Sequence, residues 1–191
     1  LFLSYHLNKK FLDHSLLFFF KKELVSILPA SQMLNNKEKK FYSHPGASYG
    51  GFIIKKKLNF EILDLMIKGL SQYCLQHKFN SIFLINTPQI YFTTPDESLD
   101  YLLRWHGYCQ KELYISHVAR LETDNIYHLL KKRKKRYVNN AVAKMNIEFK
   151  ESDDFNVFHN LLTINKKKYA TIPTHSLEEL KKLKKLLPES I

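Results

Sequence analysis

A short glycine-rich stretch at residues 44–52 constrains the fold of this chain more than any other feature. It reads His-Pro-Gly-Ala-Ser-Tyr-Gly-Gly-Phe, holds three of the five glycines of the sequence and follows an apolar run that ends at Tyr42. Glycine tolerates positive φ and lets a second backbone or a ligand come close. Spacing alone favours a bulged or kinked strand, with a binding loop as the alternative. This stretch, which we name the glycine segment, matches neither the dinucleotide-binding glycine pattern nor the P-loop.

Composition indicates a folded chain, but its positive charge does not by itself indicate a polyanion partner. Hydrophobic residues form 45% of the sequence, a share that argues against intrinsic disorder. The net charge of +12 comes mainly from lysine, and a general compositional bias would produce it as readily as selection for a polyanion partner. Two cysteines supply neither a disulfide framework nor a zinc ligand set, which favours a reducing cytoplasmic setting. No apolar run approaches the ~20 residues that span a bilayer.

Apolar periodicity predicts strands followed by a long helix in the first third of the chain. Two β-rich runs at 16–20 and 24–28 predict a hairpin, and the polar residues 35–40 predict a loop. The strongest helical pattern covers 58–78, with Asn59 placed to cap its first turn.

The middle of the chain continues this alternation. A short apolar run at 81–85 predicts a central strand, and Thr94-Pro95-Asp96-Glu97 reads as a capping box that starts a helix ending at Gly107. Residues 113–121 predict another strand. The pattern as a whole predicts an α+β fold.

Helical patterns dominate the rest of the sequence. A basic helix is predicted at 125–144, a second helix is predicted to be capped by Ser152, and a third begins with a capping box formed by Ser176 and Glu179. We therefore expect one mixed domain, a connecting helix and the opening of a second domain, with boundaries at 1–122, 123–145 and 146–191. Since the sequence starts and stops within structured patterns, we expect it to be a fragment.

Six consecutive cations at 131–136 form the most prominent charge feature. Arg133 and Arg136 are the candidate anion-binding residues, because each phosphate that a protein neutralises releases counterions. A solvated helix face is the equal alternative. The histidines show no metal-ligand spacing, so no metal site is predicted, and no serine or cysteine has the surroundings of a nucleophile. Catalytic residues stay unassigned.

Several stretches, taken in their order along the chain, resemble the FemAB-like acyltransferases, which are relatives of the GNAT superfamily built from two GNAT-type halves. The glycine segment is similar to the Pro-x-x-Ser-Tyr-Gly-Gly segment of that family. The further stretches are Phe2-Leu3-Ser4-Tyr5-His6, Asp13-His14-Ser15-Leu16, Thr87-Pro88-Gln89-Ile90-Tyr91, His106-Gly107-Tyr108 and Pro173-Thr174-His175-Ser176-Leu177-Glu178-Glu179-Leu180.

The resemblance implies a GNAT-like fold, with a mixed and mostly antiparallel sheet flanked by helices. Residues 1–122 would be the first half, 123–145 the basic connecting helix and 146–191 the beginning of the second half. It also implies transfer of an acyl or aminoacyl group to an amine by direct attack on an activated ester or thioester, with backbone N–H groups stabilising the oxyanion. The implied substrate-binding residues are His44, Ser48, Tyr49, Gly50, Gly51, Tyr91, Thr174, His175 and Ser176.

The implied donor is an acyl-CoA or an aminoacyl-tRNA, and the basic helix would suit a tRNA contact. The acceptor would carry an amine, as a cell-wall peptide precursor, an exopolysaccharide amino sugar or a small amine does. The family's pyrophosphate loop, Arg/Gln-x-x-Gly-x-Gly/Ala, does not occur in this sequence. We therefore expect the fragment to be incomplete for donor binding and inactive alone. The alternatives are a nucleic-acid-binding module that uses 131–136 and a structural GNAT-like scaffold.

Overall fold

The structure, a computed structural model, describes residues 11–35, 38–43, 45–113, 115, 126–145 and 152–188. The described residues divide into two compact units. One comprises those up to Gln110 together with those from Lys182 onward, and the other lies within Lys111–Lys181. Strands and helices both occur, which confirms the α+β class. The domain boundaries expected at 122 and 145 remain predictions.

Two small sheets are present among the described residues of the first unit. One has the strand order β1-β4-β5-β7 and the other the order β2-β3-β6. The pairings between these strands are antiparallel except that between β5 and β7, which is parallel. The strands are β1 Leu12–Asp13, β2 Leu16–Phe20, β3 Glu23–Leu28, β4 Ala30–Asn35, β5 Glu38–Ser43, β6 Ile53–Ile54 and β7 Ser81–Phe83.

The hairpin predicted from the two apolar runs is confirmed as β2 and β3. Leu16 lies opposite Leu28 and Phe20 opposite Glu23, so the turn consists of Lys21 and Lys22. Both lysines have positive φ, at 47° and 69°. A two-residue hairpin turn with positive φ at both positions matches the twist of the flanking strands, although asparagine and glycine adopt it more easily than lysine.

The loop predicted at 35–40 is wrong for Asn35 and for 38–40, because these residues belong to strands β4 and β5, while 36 and 37 lie outside the described residues. Strands β4 and β5 pair along their whole length, from Ala30 opposite Ser43 to Asn35 opposite Glu38. The outer residues of both strands are largely exposed. Their polar composition therefore reflects strand ends that project into solvent, which have the same sequence pattern as a loop.

The glycine segment lies between strands of two different sheets. Ser43, the last residue of β5, pairs with Ala30 of β4, whereas Ile53 of β6 pairs with Ile27 of β3. Two residues separate Ile27 from Ala30, and nine separate Ser43 from Ile53. The bulged strand and the binding loop both remain predictions for the glycines.

Helix α1, Phe60–Gln76, connects β6 to β7 and confirms the predicted long helix. The side-chain oxygen of Asn59 accepts a hydrogen bond from the Ile62 N–H at 3.0 Å, which confirms the predicted cap. Strand β7 then pairs in parallel with β5, which confirms a strand within 81–85. Its predicted central position is wrong, because β7 is the last strand in the described order β1-β4-β5-β7 and its side chains are only partly buried.

Helix α2, Ser98–Trp105, begins later than the predicted capping box requires. The Ser98 N–H donates to the carboxylate of Asp96 at 2.8 Å, while the Glu97 side chain makes no capping hydrogen bond. The capping box at 94–97 is therefore wrong, because Asp96 satisfies the first helical amide, that of Ser98, from a position nearer the helix. Gly107 follows the helix with φ of 81°, as predicted for its end.

The core of the first unit lies between α1 and the sheets. Phe41, Leu28, Ile67 and Leu70 are fully buried in it. The remaining buried hydrophobic residues are Val25, Ala30, Phe52, Leu58, Leu63, Met66, Cys74, Phe79, Leu102 and Leu103. The core therefore holds the strands on both sides of the glycine segment in place.

The second unit is helical in its described part. A 3₁₀ turn at Ile126–Leu129 precedes α3 Lys132–Met145, α4 Phe155–Lys167 and the start of α5 Leu177–Leu186. The cap of α4 is Asp154, whose carboxylate accepts from two amides, so the predicted cap at Ser152 is wrong. The hydroxyl of Ser152 accepts from the Asp154 N–H instead.

The capping box of α5 is confirmed. The Ser176 hydroxyl accepts from the Glu179 N–H at 3.1 Å, and the Glu179 carboxylate accepts from the Ser176 N–H at 3.0 Å. The strand predicted at 113–121 falls almost entirely outside the described residues.

Candidate functional site

The glycine segment returns to the sheet at Gly50. The Gly50 N–H donates to the Ile85 carbonyl oxygen at 2.8 Å, and Gly50 forms a parallel bridge with Asn86, beyond the end of β7. The Thr87 hydroxyl donates to the Gly50 carbonyl oxygen at 3.0 Å. Both backbone groups of this buried glycine are therefore paired, and its position is fixed from two sides.

Gly51 lies too close to Asn86 for any larger residue. A Cβ atom at this position would lie 2.8 Å from the Asn86 Oδ1 and 3.1 Å from the Asn86 Cα. The φ of Gly51 is +72°, a conformation that favours glycine independently of space. In the described part of the chain, no group accepts a hydrogen bond from the Gly51 N–H.

The parallel pairing of β5 and β7 is interrupted just before this point. Tyr42 is the last residue of β5 that pairs with β7, opposite Phe83. The fully buried Ser43 then uses its side chain in place of its backbone, because its hydroxyl accepts from the Ile85 N–H at 2.6 Å. The backbone after β5 and the backbone after β7 thus separate along the glycine segment and pair again at Gly50.

Asn86 connects the glycine segment to helix α2. Its side-chain N–H donates to the Asp100 carboxylate at 2.9 Å. Its Oδ1 atom is buried and accepts no hydrogen bond from any described residue. A buried acceptor without a partner is uncommon, and this one lies beside Gly51.

Two exposed aromatic rings stand beside the paired glycines. Tyr49 stacks on Tyr91, with ring centroids 5.4 Å apart and planes 28° from parallel. Desolvation, and then the neighbouring phenol of Tyr91, raise the pKa of Tyr49 above its usual value. A tyrosine phenol is protonated at neutral pH, so the Tyr49 hydroxyl can donate a hydrogen bond.

The structure brings together four of the residues that the resemblance implied: Tyr49, Gly50, Gly51 and Tyr91. Ser48 is exposed next to them in sequence. His44 lies outside the described residues. Sequence reasoning did not select Asn86, Thr87 or Asp100 as site residues. The available signal was the polar pair Asn86-Thr87 directly after an apolar strand, a position where site residues often occur.

The other implied substrate-binding residues, Thr174, His175 and Ser176, belong to the second unit. They precede α5, and the His175 carbonyl oxygen accepts a hydrogen bond from the His159 ring Nε2 at 3.1 Å. Thr174 is exposed and His175 is half-buried. Their assignment to a substrate site remains a prediction.

The candidate anion-binding residues Arg133 and Arg136 lie on α3, and both are exposed. The Arg133 guanidinium donates to the Tyr137 hydroxyl at 3.2 Å and lies 5.5 Å from the centre of that ring. Lys135 lies 5.4 Å from the centre of the Tyr127 ring. The sequence contains no acidic residue between Asp124 and Glu148, so no carboxylate on α3 offsets its charge.

The described ranges contain no cluster of three or more histidine, cysteine, aspartate or glutamate side chains able to hold a metal ion. Cys74 is buried in the core, where desolvation raises its pKa to about 12, so its thiol is a poor nucleophile. Over the same ranges, none of the helices combines the length and apolarity that crossing a bilayer requires.

Comparison with known proteins leaves the family open. No family model matches the sequence, and no curated protein matches it. Among solved structures, the chain is similar to the protein TTHA1254 from Thermus thermophilus, at 13% identity and a TM-score of 0.38. The similarity covers 59% of this chain and 73% of that one.

Proposed function

We propose that this chain is part of a FemAB-like, GNAT-type acyltransferase that moves an acyl or aminoacyl group from an activated ester or thioester to an amine. The glycine segment would supply the acceptor side of the cleft. The observation that carries the proposal is the geometry at Gly50 and Gly51. There the chain leaves the sheet, returns beside a parallel strand and presents a buried amide that no described group accepts from.

The Gly51 amide suits the chemistry of acyl transfer. When the amine nitrogen attacks the carbonyl carbon of the donor, negative charge develops on the carbonyl oxygen before the thiolate or alkoxide leaves. A fixed backbone N–H stabilises that oxygen without reorganising. Gly51 is well held for this role, because Gly50 is paired on both sides and Asn86 packs against it.

Acceptor binding is assigned to the surface beside these glycines. Tyr49 and Tyr91 offer a stacked aromatic wall, and the Tyr49 phenol offers a hydrogen-bond donor. The proposed donor is an acyl-CoA or an aminoacyl-tRNA. The cytoplasmic setting is part of this proposal.

The test is a product search combined with a binding assay. The protein is incubated with a series of acyl-CoA thioesters and a pool of amines, and in a parallel reaction with aminoacyl-tRNA, and acylated amines are detected by mass spectrometry. Saturation-transfer NMR on the same pool detects acceptor binding without a donor. We expect an amine that binds wild type but not Tyr49→Ala. The proposal would be contradicted if no amine bound and no acylated product formed with any donor.

A second candidate function is nucleic-acid binding through α3. The observation that favours it is the pairing of cations with tyrosine rings, Arg133 with Tyr137 and Lys135 with Tyr127, on a segment without carboxylates. Phosphates and bases are bound by this combination of groups. A tRNA contact would unite this function with the first one, whereas a structural GNAT-like scaffold would show neither activity.

A further inference from the structure

Helices α1 and α2 form a surface groove whose lining includes no residue of the glycine segment. Phe60, Glu61 and Asp64 from the start of α1 and Tyr101, Leu102 and Trp105 from α2 line it, and it encloses about 330 Å³. Leu102 is buried. We name this feature the aromatic groove.

Three aromatic side chains of the groove are exposed. The rings of Phe60 and Tyr101 lie 5.7 Å apart, and those of Tyr101 and Trp105 lie 6.4 Å apart with planes only 16° from parallel. Trp105 is 74% exposed. Exposed aromatic faces carry negative electrostatic potential and attract weakly hydrated cations.

The charged groups of the groove are acidic. Asp64 is already engaged, by Lys68 at 2.6 Å and His106 at 2.7 Å. The side chain of Glu61 makes no ion pair or hydrogen bond within the described ranges, so its negative charge is available. None of the six lining residues is basic, although the chain carries a net charge of +12.

We propose that the aromatic groove binds an organic ammonium ion, with the cation against the rings of Tyr101 and Trp105 and Glu61 as its counter-charge. An inorganic divalent cation fits less well, because it requires several oxygen ligands at once and the groove offers only two carboxylates. An alkylammonium group needs apolar contact together with one negative charge, and the groove provides both. The inference does not depend on acyl transfer, since no groove residue belongs to the glycine segment.

The chain contains a single tryptophan, so Trp105 reports on this groove alone. The experiment titrates the protein with choline chloride and follows tryptophan fluorescence. Sodium chloride at equal ionic strength and 3,3-dimethylbutan-1-ol, the uncharged analogue of choline, are titrated in parallel. We expect a saturable change with choline, with a dissociation constant on the order of 1–10 mM, and none with the other two.

Matched variants separate the roles of charge and ring. Tyr101→Leu is expected to weaken choline binding roughly 3- to 10-fold and Glu61→Gln by roughly 2- to 5-fold. Glu178→Gln, which removes an exposed carboxylate of α5, is the control and should change nothing. Circular dichroism checks that each variant is folded.

Three results would overturn the inference. The first is equal binding of the uncharged analogue, which would indicate an apolar groove without preference for charge. The second is an effect of Glu178→Gln as large as that of Glu61→Gln, which would indicate attraction to overall charge. The third is the absence of a saturable fluorescence change with choline.

Discussion

The amide of Gly50 donates to the carbonyl oxygen of Ile85 at 2.8 Å, and this bond joins the glycine segment to the chain beyond β7. It restores contact between two parallel strands that separate after Tyr42 and Phe83. Everything proposed for acyl transfer depends on this junction, because it fixes the next amide, that of Gly51.

Gly51→Ala is predicted to destabilise the fold by about 1–3 kcal/mol, because a Cβ would meet Asn86 and alanine disfavours positive φ. Gly107→Ala is the control, since Gly107 also has positive φ but no atom within 4 Å of its Cβ position. Its cost should be about 1 kcal/mol. Urea unfolding measures both. An equal loss of unfolding free energy in Gly51→Ala and Gly107→Ala would show that Asn86 shifts to make room for the Cβ.

Tyr91→Ala is predicted to weaken acceptor binding with little loss of stability. Tyr91 is exposed and its ring contact with Tyr49 lies at the surface, so its removal should cost less than about 1 kcal/mol in unfolding free energy. Tyr91→Phe keeps the stacked ring and should retain binding. The KM for the acceptor, or its dissociation constant by NMR, distinguishes the two variants. Equal losses in both would point to the hydroxyl instead of the ring.

Ile67→Ala is predicted to destabilise the first unit by about 2–5 kcal/mol, because Ile67 is fully buried against the sheets and its truncation leaves a cavity. Leu65→Ala on the same helix is the matched control. Leu65 is 52% exposed, so its truncation should cost about 0.5 kcal/mol. Denaturant titration followed by circular dichroism measures both. A small effect of Ile67→Ala would contradict the position of the core.

Stability is predicted to fall as the pH drops below about 6.5, in part because of His14. Burial, and then the charge of Lys39, lower the pKa of His14, whose Nδ1 lies 2.7 Å from the Tyr73 hydroxyl. The unfolded chain therefore binds a proton at a pH where the folded chain does not, so acid favours unfolding until the folded pKa is passed.

His14→Gln should reduce this pH dependence between pH 7 and the folded pKa of His14, because glutamine does not titrate there. The measurement is the denaturant midpoint across that range. His159→Gln is a suitable control, since His159 lies in the second unit and contacts a backbone carbonyl. An unchanged pH profile in His14→Gln would contradict the assignment.

Removing both Arg133 and Arg136 is predicted to weaken RNA binding and to flatten its salt dependence. Each lost phosphate contact lowers the slope of log K against log salt by roughly 0.7 for a single strand. Lys167→Ala with Lys168→Ala removes the same charge from exposed positions near the end of α4 and serves as control. Fluorescence anisotropy at several salt concentrations gives the slopes. Equal slopes in both double variants would assign the binding to net charge.

The elements that the sequence predicts correctly are those whose signals are local. The α1 helix has a strong apolar stripe and a capping asparagine, and the α5 helix has a reciprocal Ser176–Glu179 cap, so both are predicted correctly. The β4–β5 hairpin is missed because its outer end faces solvent and has the composition of a loop.

The candidate site is only partly predictable, because the sequence signals are local and the site residues are distant in sequence. Glycine spacing marks one side of it, but Asn86 and Asp100 lie 36 and 50 residues from Gly50, and only the parallel pairing of β5 with β7 brings them near. No local pattern encodes that pairing, since it is set by packing of α1 across the sheets.

Substitution in the lysine turn between β2 and β3 should raise the free energy of unfolding of this protein. Lys21 and Lys22 have positive φ, which lysine rarely adopts, and both are exposed and far along the chain from the glycine segment and the aromatic groove. Asparagine followed by glycine is the preferred sequence for a two-residue turn with positive φ at both positions. The variant Lys21→Asn with Lys22→Gly would therefore be a stabilised background for the binding experiments.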